Sequence, residues 1–531
     1  MDITGKNLTG FSYSSGTGKT FRAFNPSTLE YLEGEFFEAS DDDVNTSLRL
    51  ASGCFPVYSR TTPAKRADFL EAIAAEIEAL GQTLVARAVA ETGLPEGRIT
   101  GERGRTTGQL RMFANLIREG SWADAAIETA DPGRQPAPKP DLRSMLVPIG
   151  PVVVFSASNF PLAFSTAGGD TASALAAGNP VIVKAHPSHP GTSDLVAQAI
   201  AKAAKATGMP EGVFSHLHDT GFATGERLVK HPFTAAVGFT GSFTGGKALF
   251  DIASRREKPI PLFAEMGSTN PVFLFEEALK KDALTIATQL AASVTLGAGQ
   301  FCTKPGLIIA RNSSAYDQFE NAFVEQMGKV QAATLLNERI LKNYRSQVEK
   351  LKKDNTVTYL IDAGLVSLEP GLKARPVAAK ATAKQFLANK RLHEELFGPF
   401  ALIVVCDNDS EYSEVAAILD GQLTLSVFAT PGDIQANGSL INLFREKAGR
   451  LVYNGVPTGV EVNTAMQHGG PFPSTTDSRF TSVGTRAILR FVRPVSFQNW
   501  PDEALPAELR NANPMGIMRK LNGSFTREAI R

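Results

Sequence analysis

The chain has 531 residues, 54 basic and 54 acidic side chains, a charged fraction of 20% and a hydrophobic fraction of 43%. Zero net charge argues against a nucleic-acid partner, and this composition against a disordered chain. Cys54, Cys302 and Cys406 are too few and too scattered for a disulfide framework, and no CxxC or Cys/His cluster has zinc-site spacing, so no metal is expected. With no signal pattern and no apolar run of roughly 20 residues, a cytoplasmic protein without a membrane partner is expected. At roughly 100–200 residues per domain, two or three domains are expected.

In chain order, Thr62-Pro63 opens a helical pattern with Phe69, Leu70, Ile73, Ile77, Leu80, Leu84 and Val85 on one face, and more helix follows from Arg98 to Ile117. The run Asp131-Pro-Gly-Arg-Gln-Pro-Ala-Pro-Lys-Pro-Asp141 breaks regular structure, because prolines remove donors and fix φ. Beyond it, short apolar strands alternate with helices. Strands are predicted at Val152–Phe155, Val181–Val183 and Ala235–Phe239, and helices at about 166–177, 193–207 and from Ser242 to about Ile252. Such alternation predicts an α/β fold with a parallel sheet flanked by helices. Thr485-Arg-Ala-Ile-Leu-Arg-Phe-Val-Arg-Pro-Val495 reads as a strand of alternating charge suited to an arm on another subunit, and the tail from Trp500 onward has a weak helical pattern.

Two local features point to chemistry. Cys302 lies in Gly297-Ala-Gly-Gln-Phe-Cys302-Thr-Lys-Pro-Gly306, a glycine-rich stretch ahead of an apolar run, where a thiol suits covalent catalysis as well as it suits a small apolar filler. The turn Gly241-Ser-Phe-Thr-Gly-Gly246 follows a strand and precedes a helix, where backbone N–H groups and the helix dipole can face a pyrophosphate; a plain βα turn is the other reading.

Six motifs stand in one order: Phe155-Ser-Ala-Ser-Asn159-Phe-Pro161, Val181-Ile-Val-Lys184, Phe239-Thr-Gly-Ser242, Ala264-Glu265-Met-Gly267, Gly299-Gln-Phe-Cys302 and Glu394-Glu395-Leu-Phe397-Gly-Pro399. The chain resembles the aldehyde dehydrogenases in this order, from about residue 20 to about residue 500. The resemblance implies a Rossmann-like cofactor domain (1–126 and 150–262), an α/β catalytic domain (263–476), a β oligomerisation arm (127–149 and 477–500) and a tail (501–531). It implies a homodimer or homotetramer. It also implies a nucleophile, Cys302, an oxyanion donor, Asn159, and a general base for thioester hydrolysis, Glu265.

The same resemblance assigns cofactor contacts to Lys184, Ser242, Gly241, Gly246, Gly225, Gly267, Glu395 and Phe397. Pro187 stands where NAD-preferring members often carry a glutamate, so no carboxylate repels a 2′-phosphate. NADP is therefore the expected cofactor, with NAD as the alternative. His186 and His189 are either neighbours of that phosphate or loop residues.

The segments Lys184–Thr192, Arg105–Arg111 and His468–Pro473 resemble a branch holding α-ketoglutaric semialdehyde (2,5-dioxovalerate) dehydrogenases and NADP-dependent long-chain aldehyde enzymes. An aldehyde bearing a carboxylate calls for an arginine, and Arg105 and Arg111 are the candidates, a solvated helix face being the alternative. Phe155, Phe160 and Phe301 are expected to line the substrate tunnel. Two other classes compete: a non-catalytic binding protein on the same fold, opposed by the intact Cys302, Glu265 and Asn159, and a cysteine hydrolase, which needs a histidine partner that none of the seven histidines recognisably supplies.

Overall fold

Caps and left-handed residues set the element boundaries in the computed structural model, which describes residues 2–14, 18–354, 356–362 and 371–530. Thr62 caps the Pro63–Ala79 helix by accepting from Lys65 N. The apolar pattern that continues to Val85 is split there, because Gly81 takes a φ of 53° and a second helix, Gly81–Thr92, starts on a new axis. The Glu96–Glu119 helix then packs along Pro63–Ala79 and ends at Gly120, φ 83°. No helix among the described residues is long and apolar enough to cross a membrane.

The first sheet has five parallel strands in the spatial order Leu262–Glu265, Ala236–Thr240, Val152–Phe155, Val181–Lys184, Phe214–Leu217. Leu8–Thr9 and Ser12–Tyr13 extend it in antiparallel fashion. The helices Gly169–Ala177, Pro190–Ala206, Ala223–Lys230 and Phe243–Ser254 make the crossovers. From Val152–Phe155 the chain builds outward on one side, then returns to add Ala236–Thr240 on the other. That reversal opens a crevice at the carboxyl ends of the strands, where ligands bind in such sheets. The sheet runs to Glu265, past the boundary expected at residue 262.

The second sheet has the order Thr358–Asp362, Val377–Thr382, Phe400–Cys406, Leu307–Arg311, Val272–Leu274, Gln422–Phe428, Ala448–Tyr453, with only the first pair antiparallel. Its central strands are buried on both faces, as near-continuous Val, Ile and Leu runs require.

The third sheet joins Val492–Gln498, Leu142–Pro148, Ala126–Glu128, Arg519–Leu521 and Ser524–Thr526. Two expectations change here. The charged run after Thr485 begins as a 3₁₀ helix, Thr485–Phe491, because Ile488 and Phe491, three residues apart, bury on one side while Arg490 pairs at 2.6 Å with buried Asp170; only Val492–Gln498 is strand. The tail holds no α-helix among the described residues, only the single 3₁₀ turns Asp502–Ala504 and Ala507–Leu509. Its last part is a hairpin turning at Asn522 and Gly523, and the hairpin's first strand covers the edge of Ala126–Glu128 in parallel. Leu505, Leu509 and Ile517 from the tail close an apolar cluster with Ala123, Ala125, Ile127 and Met145, and Arg143 donates to Leu509 O at 2.6 Å. Leu509→Ala is expected to cost about 2–4 kcal/mol through the cavity it leaves and to lower the thermal unfolding midpoint; an unchanged midpoint would remove the tail from the folded core.

Candidate active site

Cys302 lies between the helix Glu276–Thr295 and the strand Leu307–Arg311, in a loop that only a glycine-rich sequence can form. Gly297, Ala298 and Gly299 take φ values of 56°, 57° and 68° in succession, and a Cβ on Gly299 would stand 2.2 Å from Gly398 O. Asn270 clamps the loop from the next strand, its Nδ2 donating to Cys302 O at 2.8 Å and Lys304 O at 3.0 Å. The thiol is thereby fixed at the crevice of the first sheet.

Two partners meet it there. His468 Nε2 lies 3.5 Å from Cys302 Sγ and 2.9 Å from Glu265 Oε1. Glu265, at the carboxyl end of its strand, also accepts from Ser482 Oγ through Oε2. His468 is itself held by its backbone N–H, which donates to Thr481 Oγ1 at 2.8 Å. Burial pushes the Glu265 carboxyl up, but the positive charge that His468 can carry beside it and the hydrogen bonding of Ser482 and Cys302 outweigh it and hold the group below its usual range. The Cys302 thiol moves the other way: burial and then the Glu265 charge push it well above the ordinary thiol value, with Arg105 partly offsetting them. The histidine partner absent from the sequence reading is thus His468. It stood in a quoted motif, but 166 residues from the thiol.

The Glu96–Glu119 helix supplies the opposite wall. Glu102 Oε1 accepts from Leu162 N and Ala163 N, both at 2.9 Å, fixing the loop that carries Asn159 and Phe160. Arg98 donates to Asn159 O at 2.7 Å and stacks 4.5 Å from the Phe301 ring. Asn159 Nδ2 gives one N–H to Gln300 O at 3.1 Å; the amide has a second.

Arg105 lies over Phe164, 5.5 Å from the ring centroid, and its Nε and Nη2 are buried without a hydrogen-bond partner among the described residues. Arg105, Phe160, Phe164, Phe301, Cys302 and His468 line a small cavity of about 30 Å³. Two expected residues lie elsewhere. Arg111 is exposed and pairs with Glu78 at 2.6 Å, because six residues further along a helix turns it about 120° away from Arg105. Phe155 packs between sheet and helices against Phe239, on the face away from the cavity.

The predicted cofactor residues gather at the carboxyl end of the first sheet. Gly241 and Ser242 are exposed, and Ser242 Oγ accepts from Gly245 N, capping an open helix N-terminus. Gly246 and Gly225 are packing positions, where a Cβ would stand 2.7 Å from Met266 Cγ and 2.8 Å from Phe155 Cε1. Lys184 Nζ donates to Asp219 O at 2.9 Å, and Pro187 is half-buried in the loop that follows. Gly267 is a close-approach position: a Cβ would meet Glu395 Oε2 at 2.3 Å. Glu395 therefore lies against Gly267, and its loop, which also carries Phe397, is tethered by buried Lys304, whose Nζ donates to Leu396 O and Phe400 O, both at 3.0 Å. Burial raises Glu395 and lowers Lys304, each charge opposing the shift in the other.

His189 is excluded from any phosphate role. It is buried, with Nε2 2.9 Å from Ala157 O and Nδ1 3.1 Å from Ser193 Oγ. Burial and nearby cations keep His186 uncharged as well. The sequence reading passed over Arg339, exposed on the facing helix and close enough to Lys184 and His186 to disfavour their protonation. An open capped helix end with Gly241 exposed beside it, and the cations Lys184 and Arg339, suit a phosphate-bearing dinucleotide.

Comparison with known proteins agrees with this geometry. The model of the aldehyde dehydrogenase family matches residues 13–491. The chain is 48% identical to alpha-ketoglutaric semialdehyde dehydrogenase 2 of Azospirillum brasilense and 44% identical to alpha-ketoglutaric semialdehyde dehydrogenase of Acinetobacter baylyi, in each case over 98% of this chain and 99% of the relative. Among solved structures, a point mutant of Thermus thermophilus 1-pyrroline-5-carboxylate dehydrogenase shares the fold at a TM-score of 0.79 and 21% identity, covering 93% of this chain and 92% of that one. With Cys302, Glu265 and Asn159 brought to one crevice and the family pattern running through nearly all of its length, the chain belongs to the aldehyde dehydrogenase family.

Proposed function

We propose that the protein oxidises 2,5-dioxopentanoate (α-ketoglutaric semialdehyde) to 2-oxoglutarate, with NADP as the preferred hydride acceptor. The observation that carries the substrate is Arg105, an arginine with two buried unpartnered nitrogens in the cavity of Cys302. A buried guanidinium needs an anion, and a carboxylate satisfies it in bidentate fashion. The names of the relatives at 48% and 44% identity support the same substrate. A long alkyl chain fits less well, since the Arg105 charge stands in the wall of the small cavity that Phe160, Phe164 and Phe301 also line.

The chain's own groups carry the proton steps. The thiol is held protonated until the aldehyde arrives; His468, neutral at that stage with the Nε2 lone pair free, takes its proton at 3.5 Å as sulfur adds to the carbonyl carbon, and the imidazolium so formed then faces Glu265 Oε1 at 2.9 Å. The oxyanion of the thiohemiacetal takes the free N–H of Asn159 and the backbone N–H of Cys302. A bound nicotinamide supplies the hydride acceptor; Ser242, Lys184, Glu395 and Phe397 are the residues to hold it. The thioester left on Cys302 is hydrolysed by a water that gives its proton to Glu265, kept ionised by His468 and Ser482. Nucleophile, histidine and carboxylate in a row also occur in hydrolases; the open helix end at Ser242 and the Glu395 loop favour the oxidation.

For the cofactor, position 187 itself carries a proline and no carboxylate to repel a 2′-phosphate, and Lys184 and Arg339 attract one against the nearby Asp219 and Glu38. As an oligomer we propose a homodimer or homotetramer, joined through the exposed edge strand Val492–Gln498.

Steady-state reduction of NADP with 2,5-dioxopentanoate and a neutral aldehyde tests the substrate. Arg105→Met should lower kcat/KM for the acidic aldehyde by about 10–100-fold, the equivalent of one charge-assisted hydrogen bond, mainly through KM, and cost the neutral aldehyde much less, only what Cys302 loses with the charge that offsets its upward shift; an equal loss on both would reject the assignment. Arg339→Ala should raise the KM for NADP by about twofold to fivefold, as for an exposed charge pair, without moving that for NAD; equal shifts would remove Arg339 from the 2′-phosphate site.

A further inference from the structure

The catalytic cluster has a second chemical capacity. Cys302 Sγ, His468 Nε2 and Glu265 Oε1 all lie within 4.8 Å of one another, with 3.5 Å between sulfur and nitrogen and 2.9 Å between nitrogen and carboxylate oxygen. Bonds of about 2.3 Å to sulfur and about 2.0 Å to nitrogen and oxygen, spread tetrahedrally, place ligand atoms about 3.3–3.5 Å apart. The sulfur–nitrogen distance already matches that spacing, the nitrogen–oxygen distance falls short of it, and the sulfur–oxygen distance is within 4.8 Å, so a small turn of the Glu265 carboxylate brings the three atoms to one face of a zinc tetrahedron. Glu265 Oε1 is buried and has no aligned hydrogen-bond donor among the described residues, although His468 Nε2 is close. Its lone pairs are unused, which is the state a metal ligand needs.

We propose that this cluster is a site for a thiophilic divalent cation, zinc being the representative, and that its occupation reversibly switches the enzyme off. Thiolate, imidazole and carboxylate occupy three positions, and a water facing the cavity of Arg105 and Phe301 takes the fourth. On binding, the Cys302 S–H bond breaks, its proton goes to solvent and a zinc–sulfur bond forms; His468 binds as neutral imidazole through Nε2, with its proton on Nδ1. Nothing is oxidised or reduced. The two anionic ligands neutralise the cation, so its charge is balanced beside Arg105. Magnesium and calcium are excluded, since hard cations take six or more oxygen ligands and the cluster offers one. The metal occupies the sulfur lone pair that attacks the aldehyde and the carboxylate that activates water, so both halves of the reaction stop together. This holds whichever aldehyde the enzyme takes.

The test uses the full chain, stripped with a chelator and without aldehyde or nucleotide, so that it is independent of the substrate reading. Zinc is titrated against a chromogenic chelator, cobalt(II) is used as a spectroscopic substitute, and the rate at which iodoacetamide alkylates Cys302 is followed by peptide mass spectrometry. One zinc per chain should bind, slow alkylation by at least an order of magnitude, and leave on addition of chelator with full return of activity; magnesium should do none of this. Cobalt should give a thiolate-to-metal charge-transfer band that Cys302→Ser abolishes. His468→Gln should weaken zinc by at least an order of magnitude, whereas Cys54→Ser and Cys406→Ser, which remove the two buried cysteines outside the site, should not. Zinc that binds Cys302→Ser and His468→Gln as tightly as the parent, or that leaves alkylation of Cys302 at its original rate, overturns the proposal. Thermal unfolding midpoints near the parent's qualify the variants, and the parent's alkylation rate decides the matter even if one of them fails to fold.

Discussion

A carboxylate kept ionised although it is buried is the constraint around which this molecule is organised. Taking such a group out of water costs several kcal/mol unless partners repay it. His468 and Ser482 are those partners, and they hold Glu265 below its usual range despite complete burial. The same charge bears on Cys302 and, with burial, keeps its thiol protonated. One electrostatic arrangement thus separates the two roles: the carboxylate stands ready as a base, and the sulfur becomes nucleophilic only when His468 takes its proton.

The fold exists to bring these groups together from distant parts of the chain. Glu265 ends a strand of the first sheet, Cys302 precedes a strand of the second, and His468 arrives on the segment that returns from the second sheet towards the third. The Glu96–Glu119 helix completes the wall through Glu102, which binds two backbone amides of the Asn159 loop, and Arg105. Strain is placed where it is needed: three successive left-handed residues aim the thiol, and Asn270, itself at φ 47°, holds the loop closed.

Much of this was legible in the residues. Buried parallel strands are short apolar runs, so Val152–Phe155, Val181–Val183 and Ala235–Phe239 stood out, each within a residue of the strand observed, and their alternation with helices implied the sheet. Local glycine patterns marked the thiol loop and the helix end at Ser242. What stayed hidden was long-range or depended on direction. His468 carries no local mark of its partnership, because proximity to Cys302 is made by the tertiary fold. Arg105 and Arg111 differ by rotation about one helix, and Phe155 by the alternation of faces along a strand; both distinctions rest on periodicity and were open to a closer reading. The tail hid in another way: its weak helical pattern was misleading, while Asn522-Gly523, a pair favouring a tight hairpin, was the informative signal.

The central claim is that Cys302 carries a thioester whose hydrolysis depends on the ionised Glu265. Rapid mixing of the Glu265→Gln variant with 2,5-dioxopentanoate and NADP, read by nucleotide absorbance and by intact and peptide mass spectrometry, addresses it directly. The account predicts a single burst of reduced nucleotide, one per active chain, followed by a stalled enzyme with the acyl group on the Cys302 peptide. Continued turnover with no acylated Cys302, or an acyl group on another residue, would contradict it.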